Sequence, residues 1–441
     1  MTAEPASLPA LAARRRPRIR WRIFALLFGF GLMAYVQQRS LTVASYQMMP
    51  QLQLSQMQIG WLEWAFLLGY AALQFPGGVL GQRLGARATF VLIGLIAFAA
   101  TVALPLSPLI LAGTGLFVAL LGSQLLLGLA QGPIFPVQAG VIEAWFRPDQ
   151  WSFVQGTISL GLGLGAAVTP PVVAWLMTSF GWQRAVAWTT LPSLALIALW
   201  AWYARNTPVQ HPSVSPEELA EVDARPPASD PSISWQRLSS LLKSRDLLAL
   251  TLSYLCMNYV YYLIGNWCFL YLVQERHFTV LEGGWLTSTP ALAAAAGAGI
   301  GGKLGSFFGV RYGARRGFHI IPFASLPAAG LLLLIAVHAA NAYLAVAVLA
   351  LCFALVELNE GPYWAAVMHL ARGDTMSASG LLNTGGNVGG LVATPIVAYL
   401  SGQHSWTLAF AIGTAFAFLS AAAWLLVDPT RHLASCQAAA G

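Results

Sequence analysis

Two carboxyl side chains lie close together in a stretch that is otherwise apolar. Glu357 and Glu360 are three positions apart, directly before Gly361-Pro362, where we expect a helix irregularity. On a helix this spacing places both side chains on one face, where two ionised carboxylates repel each other. The pair therefore favours a carboxyl that holds a proton, as a proton carrier does. The alternatives are that the pair ends in a water-filled vestibule or is paired with a base for structural reasons.

An arginine, Arg39, stands in the first apolar run. Its planar guanidinium could hold a carboxylate through two parallel hydrogen bonds. The alternative is that Arg39 lies near the outer membrane interface and extends its charged end into water.

Aromatic and amide side chains offer further contacts to a polar ligand, since tyrosine supplies both a hydroxyl and a ring face. They crowd the seventh apolar run at Tyr254, Asn258, Tyr259, Tyr261, Tyr262, Asn266 and Trp267. Tyr35 and Tyr259 are related by the period of an internal repeat, and we predict that they face each other across a cavity. Asn383 and Asn387 give the eleventh run one polar face, with hydrogen bonding between helices as the alternative.

Membrane-spanning helices must position these residues. The chain of 441 residues is 57% hydrophobic and 9% charged, with a mean hydropathy of +0.65, which leaves too little polar surface for a soluble domain. Apolar runs of roughly 20 residues, the length that crosses a bilayer, recur about twelve times. The runs are continuous rather than alternating, so we predict an all-α membrane protein with twelve transmembrane helices.

The chain also repeats itself. Gly77-Gly78-Val79-Leu80-Gly81 recurs 224 positions later as Gly301-Gly302-Lys303-Leu304-Gly305, and Trp182 recurs as Trp406. Such a duplication in an apolar chain predicts two pseudo-symmetric six-helix bundles, with a substrate site between them near the bilayer midplane.

Basic residues cluster on alternate connections, which predicts that both termini are cytoplasmic in a multi-pass protein of the cell inner membrane. The cluster before the first run contains Arg14, Arg15, Arg16, Arg18, Arg20 and Arg22. We divide the chain into a basic cytoplasmic tail (1–20), a first bundle (21–204), a cytoplasmic linker (205–247), a second bundle (248–427) and a cytoplasmic tail (428–441).

Several functional classes are not expected. The net charge of +7 follows from this topology and does not indicate a nucleic-acid partner. Cys256, Cys268, Cys352 and Cys436 show no metal-ligand spacing. Nothing resembles a phosphate-binding loop or a nucleophile triad, so we expect no metal, no cofactor and no enzymatic activity. The expected partners are a small-molecule solute and the lipid bilayer, with protons as a candidate coupling ion, and the expected state is a monomer.

The motifs resemble a known family. Gly78-Val79-Leu80, Arg83-Leu84-Gly85 and Arg87 resemble the loop signature of the major facilitator superfamily, which implies a gating role for this loop. The order and spacing of several further segments resemble its anion:cation symporter branch, which includes carriers of galactonate, hexuronates, glucarate, tartrate and phthalate. These segments are Tyr35 to Ala44, Gln74 to Gly78, Trp267 with Tyr271, Pro362 with Trp364, and Ser379 to Asn387.

Five glutamines depart from the pattern of this branch. Gln37 and Gln38 fall on its Asp and Arg of the first helix, Gln124 and Gln131 on its Arg and Glu of the fourth, and Gln82 on its loop Asp. The resemblance implies proton-driven import of an organic anion, with substrate contact at the Asn383 and Asn387 positions. Glutamine has no proton to exchange and suits hydrogen bonding to hydroxyls or amides instead. We also expect the missing charge at Gln82 to shift the protein toward its inward-open form or to speed the interconversion of its conformations.

The sequence therefore predicts a transporter that moves a small organic anion, such as a sugar acid, by alternating access. Two alternatives stay open. One is a proton-independent facilitator or exporter of a neutral polar solute, which the glutamines favour. The other is a transporter-like sensor that binds solute and reports to a partner.

Overall fold

The computed structural model describes residues 19–222 and 235–431, and within these ranges it is helical without strands. Predictions that concern Arg14, Arg15, Arg16, Arg18 and Cys436 fall outside the described residues. The helices are α1 (Ile19–Leu52), α2 (Gln56–Ala72), α3 (Gln74–Leu84), α4 (Ala86–Ile110), α5 (Gly113–Gln131), α6 (Ile134–Trp145), α7 (Trp151–Phe180), α8 (Trp182–Tyr203), α9 (Pro216–Glu221), α10 (Trp235–Lys243), α11 (Arg245–Gln274), α12 (Val280–His338), α13 (Ala342–Glu357), α14 (Glu360–Leu370), α15 (Thr375–Gly402) and α16 (Trp406–Ala423).

The helices form two groups. α1 packs against α7 and α8, and α4 against α5 and α8, to make the first bundle. α11 packs against α15 and α16, and α12 against α13 and α16, to make the second. Each bundle buries large aromatic side chains, including Trp182 in the first and its repeat-related Trp406 in the second. The predicted all-α class is confirmed.

Three long helical rods are interrupted, and proline accounts for each break. α2 ends at Ala72, α5 at Gln131 and α13 at Glu357. Pro76, Pro136 and Pro362 follow shortly afterwards, so their rings approach the carbonyl groups of Ala72, Gly132 and Leu358, four positions back. The third interruption places Leu358 and Asn359 between the two acids of the predicted pair. The irregularity that we expected at Gly361-Pro362 therefore falls between Glu357 and Glu360.

α12 is a single assigned helix of 59 residues, but Gly313 inside it has φ 77° and ψ 160°. Glycine tolerates this conformation because it lacks a Cβ. The residue divides the helix into two rods, as Gly85 separates α3 from α4 in the first bundle with φ 80°.

Nine helical segments of the described ranges are long and apolar enough to cross a membrane, with α12 counted once. The α2 and α3 rod and α15, which contain several glycine and polar residues, are not among them. The predicted count of twelve therefore stays a prediction.

The two bundles meet closely at one end, where α7 packs against α12 and α14, and α15 against α3 and α6. Gly156 on α7 and Gly302 on α12 let the two backbones touch, because a Cβ on Gly156 would lie 2.6 Å from the Cα of Gly302. The backbone N–H of Phe153 also donates to the hydroxyl of Ser306 at 3.0 Å. This end contains the loop signature and Arg147, and the sequence predicts it to be cytoplasmic. At the opposite end we see no hydrogen bond between the bundles among residues 19–222 and 235–431.

The linker contributes two short helices. In α9, the carboxylate of Glu218 accepts hydrogen bonds from the backbone N–H groups of Ile19 and Arg20, both at 3.1 Å, and so caps the start of α1. Glu221 forms an ion pair with Arg20 at 2.7 Å. α10 ends against α11, with the apolar side chain of Leu241 fully buried. The linker is thus tied to the first bundle by α9 and to the second by α10.

Candidate functional site

A cluster of charged and phenolic side chains lies between the bundles, midway along α1. We call it the central cluster, and it consists of Tyr35, Arg39, Tyr261, Tyr262, Glu357 and Glu360. The hydroxyl of Tyr35 is hydrogen-bonded to Tyr261, and both rings are within electrostatic range of Arg39 and Glu357. Both tyrosines are therefore near a guanidinium from the first bundle and a carboxyl from the second.

Arg39 and Glu357 make no hydrogen bond or ion pair with any residue in the described part of the chain, and Arg39 is exposed. Both interpretations of Arg39 stay predictions. An arginine and an acid on facing walls can bind the two ends of one small polar molecule.

Glu360 is held differently from Glu357. One of its oxygens accepts a hydrogen bond from the hydroxyl of Tyr254 at 2.9 Å, and the other accepts from the indole N–H of Trp364 at 2.8 Å. Trp364 is buried and also contacts Phe135 of the first bundle, with ring centroids 6.4 Å apart. Tyr254 and Trp364 therefore hold the carboxylate of Glu360 in place. The carboxyl group of Glu357 has no such hydrogen bonds from the described residues.

Amide groups extend the polar surface along α15. The hydroxyl of Tyr262 donates to the Oδ1 of Asn387 at 3.0 Å. The Nδ2 of Asn387 donates to the backbone carbonyl of Asn383 at 2.8 Å. Tyr70 of the first bundle is hydrogen-bonded to the Asn383 side chain, whose Nδ2 is buried without a partner among the described residues. Asn383 thus connects the second bundle to Tyr70 of the first, while Asn387 bonds within the second bundle beside the central cluster.

Two of the five glutamines form a neutral network inside the first bundle. The Nε2 of Gln37 donates to the hydroxyl of Thr190 at 2.9 Å, and the Nε2 of Gln131 donates to the Oε1 of Gln37 at 3.2 Å. Gln131 also donates to the backbone carbonyl of Ala34 at 3.1 Å. Gln131 thus satisfies the oxygen of Gln37, and Gln37 in turn donates to Thr190, so these positions bind α1, α5 and α8 together rather than exchange a proton.

Gln38 and Gln124 stand apart from this network. Gln124 is only 3% exposed, while Gln38 is half-buried. Neither makes a hydrogen bond to another residue of ranges 19–222 and 235–431. The structure therefore leaves both amides able to bind a ligand, but does not place them in the central cluster.

The structure corrects the predicted pairing of Tyr35 with Tyr259. Tyr259 is fully buried within the second bundle, where its ring stacks on Phe416 at 4.1 Å between centroids. Tyr261 takes the place opposite Tyr35, because α11 turns its side chain by about 200° over two residues. Trp267, another predicted contact, packs against the apolar core of the second bundle.

Gln82 bridges the bundles at their closed end. Its Nε2 donates to the Oδ1 of Asp374 at 2.7 Å and also to the carbonyl of Gly373. Its Oε1 accepts from the hydroxyl of Ser377 at 2.9 Å. This geometry reverses the expected role of the glutamine, because its amide complements an acid at the start of α15 and stabilises the closed end.

The two neighbouring arginines of the loop signature differ from this pattern. Arg87 bonds within the first bundle, with its backbone N–H 2.9 Å from the Oδ1 of Asn206 and its Nε 3.0 Å from the carbonyl of Ala201. It therefore anchors α4 to the end of α8 and does not reach the second bundle. Arg83 lies exposed in the last turn of α3.

Sequence reasoning missed Glu143 and Asp374, the acids at the closed end. The carboxylate of Glu143 accepts from the backbone N–H of Gly373 at 2.9 Å, across the two bundles. Asp374 is fully buried directly before α15. Its position after Gly373 at the start of an apolar run is a helix-capping signal, but its pairing with Gln82 is visible only in three dimensions.

We expect Gln82→Asp to open the closed end. The new carboxylate would face Asp374, and two like charges 4 Å apart repel by about 4 kcal/mol at an effective dielectric constant near 20. The population that is open at this end should rise at least tenfold. Spin labels at Ala88→Cys and Arg316→Cys, one exposed position in each bundle, would report this as a longer distance. Gln82→Asn, which keeps the amide on a shorter side chain, is the control. An unchanged distance in Gln82→Asp would contradict the assigned role of the amide.

Comparison with known proteins agrees with this architecture. A probable sulfoacetate transporter of Cupriavidus necator is 28% identical over 94% of this chain and 95% of its own length. A probable galactarate/D-glucarate transporter of Escherichia coli K12 is 25% identical over 92% of this chain and 94% of its own. The crystal structure of the E. coli fucose:proton symporter superposes with a TM-score of 0.68 at 17% identity, covering 92% of this chain and 99% of that one. The sequence profile of the Major Facilitator Superfamily matches residues 23–378. With that match across most of both bundles, the chain belongs to the Major Facilitator Superfamily and is a multi-pass membrane transporter rather than an enzyme.

Proposed function

We propose that the protein imports a small organic acid and that Arg39 binds its anionic group. The observation that carries this proposal is the guanidinium of Arg39, which is within electrostatic range of the same two tyrosines as Glu357 and has no ion-pair partner among the described residues. The names of the two relatives, transporters of sulfoacetate and of galactarate and glucarate, support an acid as the substrate class. Hydroxyl groups of a sugar acid would bind the tyrosines and Asn387.

We further propose that a proton accompanies the acid and is held by Glu357. The central cluster contains one guanidinium and two carboxyl groups, so a bound monoanion adds a third negative charge to a site within the membrane. Charge at that depth is costly unless it is neutralised. Glu360 already accepts two hydrogen bonds, which stabilise its ionised form, whereas Glu357 accepts none from the described residues. Glu357 is therefore the carboxyl that takes the proton.

Gradient-driven uptake into vesicles that contain the purified protein tests both proposals. The substrate panel pairs galactarate and galactonate with galactitol, a neutral sugar alcohol of the same carbon number. Accumulation of an acid, but not of galactitol, under an inward proton gradient is the expected result. Failure to move any acid would overturn the proposed substrate class.

A second candidate function is proton-independent facilitation of a neutral polar solute. The hydrogen-bonded network of Gln37, Gln131 and Thr190 favours it, because those amides cannot release a proton. In the same vesicles this function would give equilibration of galactitol without accumulation. Binding without flux would instead favour a sensor.

The proposed orientation places the closed end and both termini in the cytoplasm of a cell with an inner membrane. The clustering of arginines at that end supports this orientation, with Arg83, Arg147, Arg311 and Arg372 all on connections there. In the described structure the substrate site would then open outward, as an importer requires. A monomeric state and the absence of a nucleic-acid partner stay predictions.

A further inference from the structure

We propose that Arg237 of the linker helix α10 is a positioning residue at the closed end of the protein, which we call the cytoplasmic gate. By neutralising Asp374, Arg237 stabilises the closed form of this gate. The inference concerns the gate and does not depend on the identity of the substrate. Its starting point is the ion pair between the Nη2 of Arg237 and the Oδ1 of Asp374, which are 3.0 Å apart.

The two partners differ in their access to water. The side chain of Asp374 is 0% exposed, while that of Arg237 is 33% exposed. A buried carboxylate without a compensating cation is strongly destabilising. In the closed form Asp374 is covered by the first bundle, with Gln82 bonded to the same oxygen that Arg237 contacts. When the bundles separate, the carboxylate of Asp374 becomes exposed to water, so the cation of Arg237 stabilises it less.

A second acid strengthens the requirement for a cation. Glu143 of the first bundle lies within electrostatic range of Asp374, and closure brings these two negative charges together. Arg372 is in range of Glu143 and also sits over the ring of Trp151, at 5.3 Å from its centroid. Arg237 and Arg372 thus balance Asp374 and Glu143 at the point where the bundles meet.

The linker is placed so that this interaction can respond to bundle movement. α9 is fixed to the first bundle by Glu218 and by the ion pair of Glu221 with Arg20, whose side chain is 0% exposed. α10 lies against the second bundle and reaches Asp374 through Arg237. α9 and α10 therefore contact different bundles, and Arg237 acts on Gln82 through the carboxylate that they share.

The test measures the distance between spin labels at Ala88→Cys and Arg316→Cys in the full-length protein, without substrate. Arg237→Gln is expected to raise the open population at least tenfold, because it removes a cation that contacts a fully buried carboxylate. Arg237→Lys keeps the charge and should restore most of the closed population. Lys243→Gln removes the same charge from an exposed position of the same helix and should have no effect.

A double-mutant cycle separates a positioning role from a purely structural one. Asp374→Asn keeps an oxygen that can accept from Gln82 but removes the charge that Arg237 neutralises. In that background Arg237→Gln is expected to produce no further change in the distance distribution. An equal effect in both backgrounds, or no effect of Arg237→Gln in the parent, would overturn the proposal. In transport, Arg237→Gln should raise the half-saturation concentration for external substrate in proportion to the lost closed population.

Discussion

Glu357→Gln is expected to abolish proton-driven accumulation of an acid while leaving its equilibration across the membrane intact. A carboxyl that cycles between protonated and ionised forms can couple the two gradients, but an amide has no proton to exchange. For one proton per monoanion, a gradient of one pH unit supports up to about tenfold accumulation, since a factor of ten corresponds to about 1.4 kcal/mol. The inside-to-outside ratio in vesicles should therefore fall from about ten to one.

The change is conservative in structural terms, because Glu357 accepts no hydrogen bond from the residues that the structure describes. Glu63→Gln is the matched control, as it alters an acid of the first bundle that bonds to Thr42 at 3.2 Å, outside the central cluster. Glu63→Gln should accumulate substrate as the parent does. If Glu357→Gln did the same, the proton would have to bind elsewhere, and Glu360→Gln would be the next variant to measure.

Arg39→Gln is expected to raise the half-saturation concentration for an acid by about ten- to a hundredfold. The arginine offers two hydrogen bonds to one carboxylate, and the amide of glutamine can keep one of them. The net loss is then one hydrogen bond to a charged group, about 1.5–3 kcal/mol. Arg39→Lys keeps the charge but loses the planar pair of donors, so an intermediate loss is expected. Initial rates of uptake over a range of substrate concentrations provide the measurement.

Two comparisons make this prediction specific. Arg184→Gln removes the same charge from an exposed position at the start of α8, so it controls for an effect of net charge. Equilibration of galactitol, where it is measurable, should be nearly unchanged in Arg39→Gln, because the neutral alcohol has no anionic group. An equal loss for galactitol would mean that Arg39 supports the fold of the site rather than the recognition of an acid.

The helical class and the internal repeat could be predicted because continuous apolar runs and recurring glycine motifs can be recognised directly in the sequence. Continuous apolar runs require backbone hydrogen bonds within each segment, which only helices provide along a single run. The positions of the helix breaks were harder to predict, although a nearby proline causes each of them. Pro362 is visible in the sequence, but its effect falls on the carbonyl of Leu358, so the break lies between Glu357 and Glu360 rather than after them.

The kinds of residue in the candidate site could be predicted from the sequence. Which tyrosine of α11 lies opposite Tyr35 could not. Arg39, Glu357 and Tyr35 were each visible as candidates, because charged groups in an apolar helix are retained where another group or water can reach them, but their proximity was not predicted. Tyr259 was misplaced, since the repeat relates sequence positions but does not fix which side of α11 faces the cavity. The stacking of Tyr259 on Phe416 depends on a residue more than 150 positions away.

The gate shows most clearly what a motif omits. Gln82 looks like a lost charge when it is compared with the loop signature alone. Its partner Asp374 is 292 positions away and belongs to the other bundle. A carboxylate at Asp374 makes an amide at Gln82 the complementary choice, because a second carboxylate would repel it. Only the three-dimensional pairing shows that Gln82 attracts the second bundle through Asp374.

Gly156 and Gly302 bring the backbones of α7 and α12 together without an intervening side chain. Separation of the helices at this crossing therefore exposes more peptide groups than apolar side chains to water. Exposure of apolar surface raises heat capacity, whereas exposure of polar surface lowers it. The opening of this crossing should thus lower the heat capacity of the transition, and its contribution to the enthalpy of the conformational change should fall as the temperature rises.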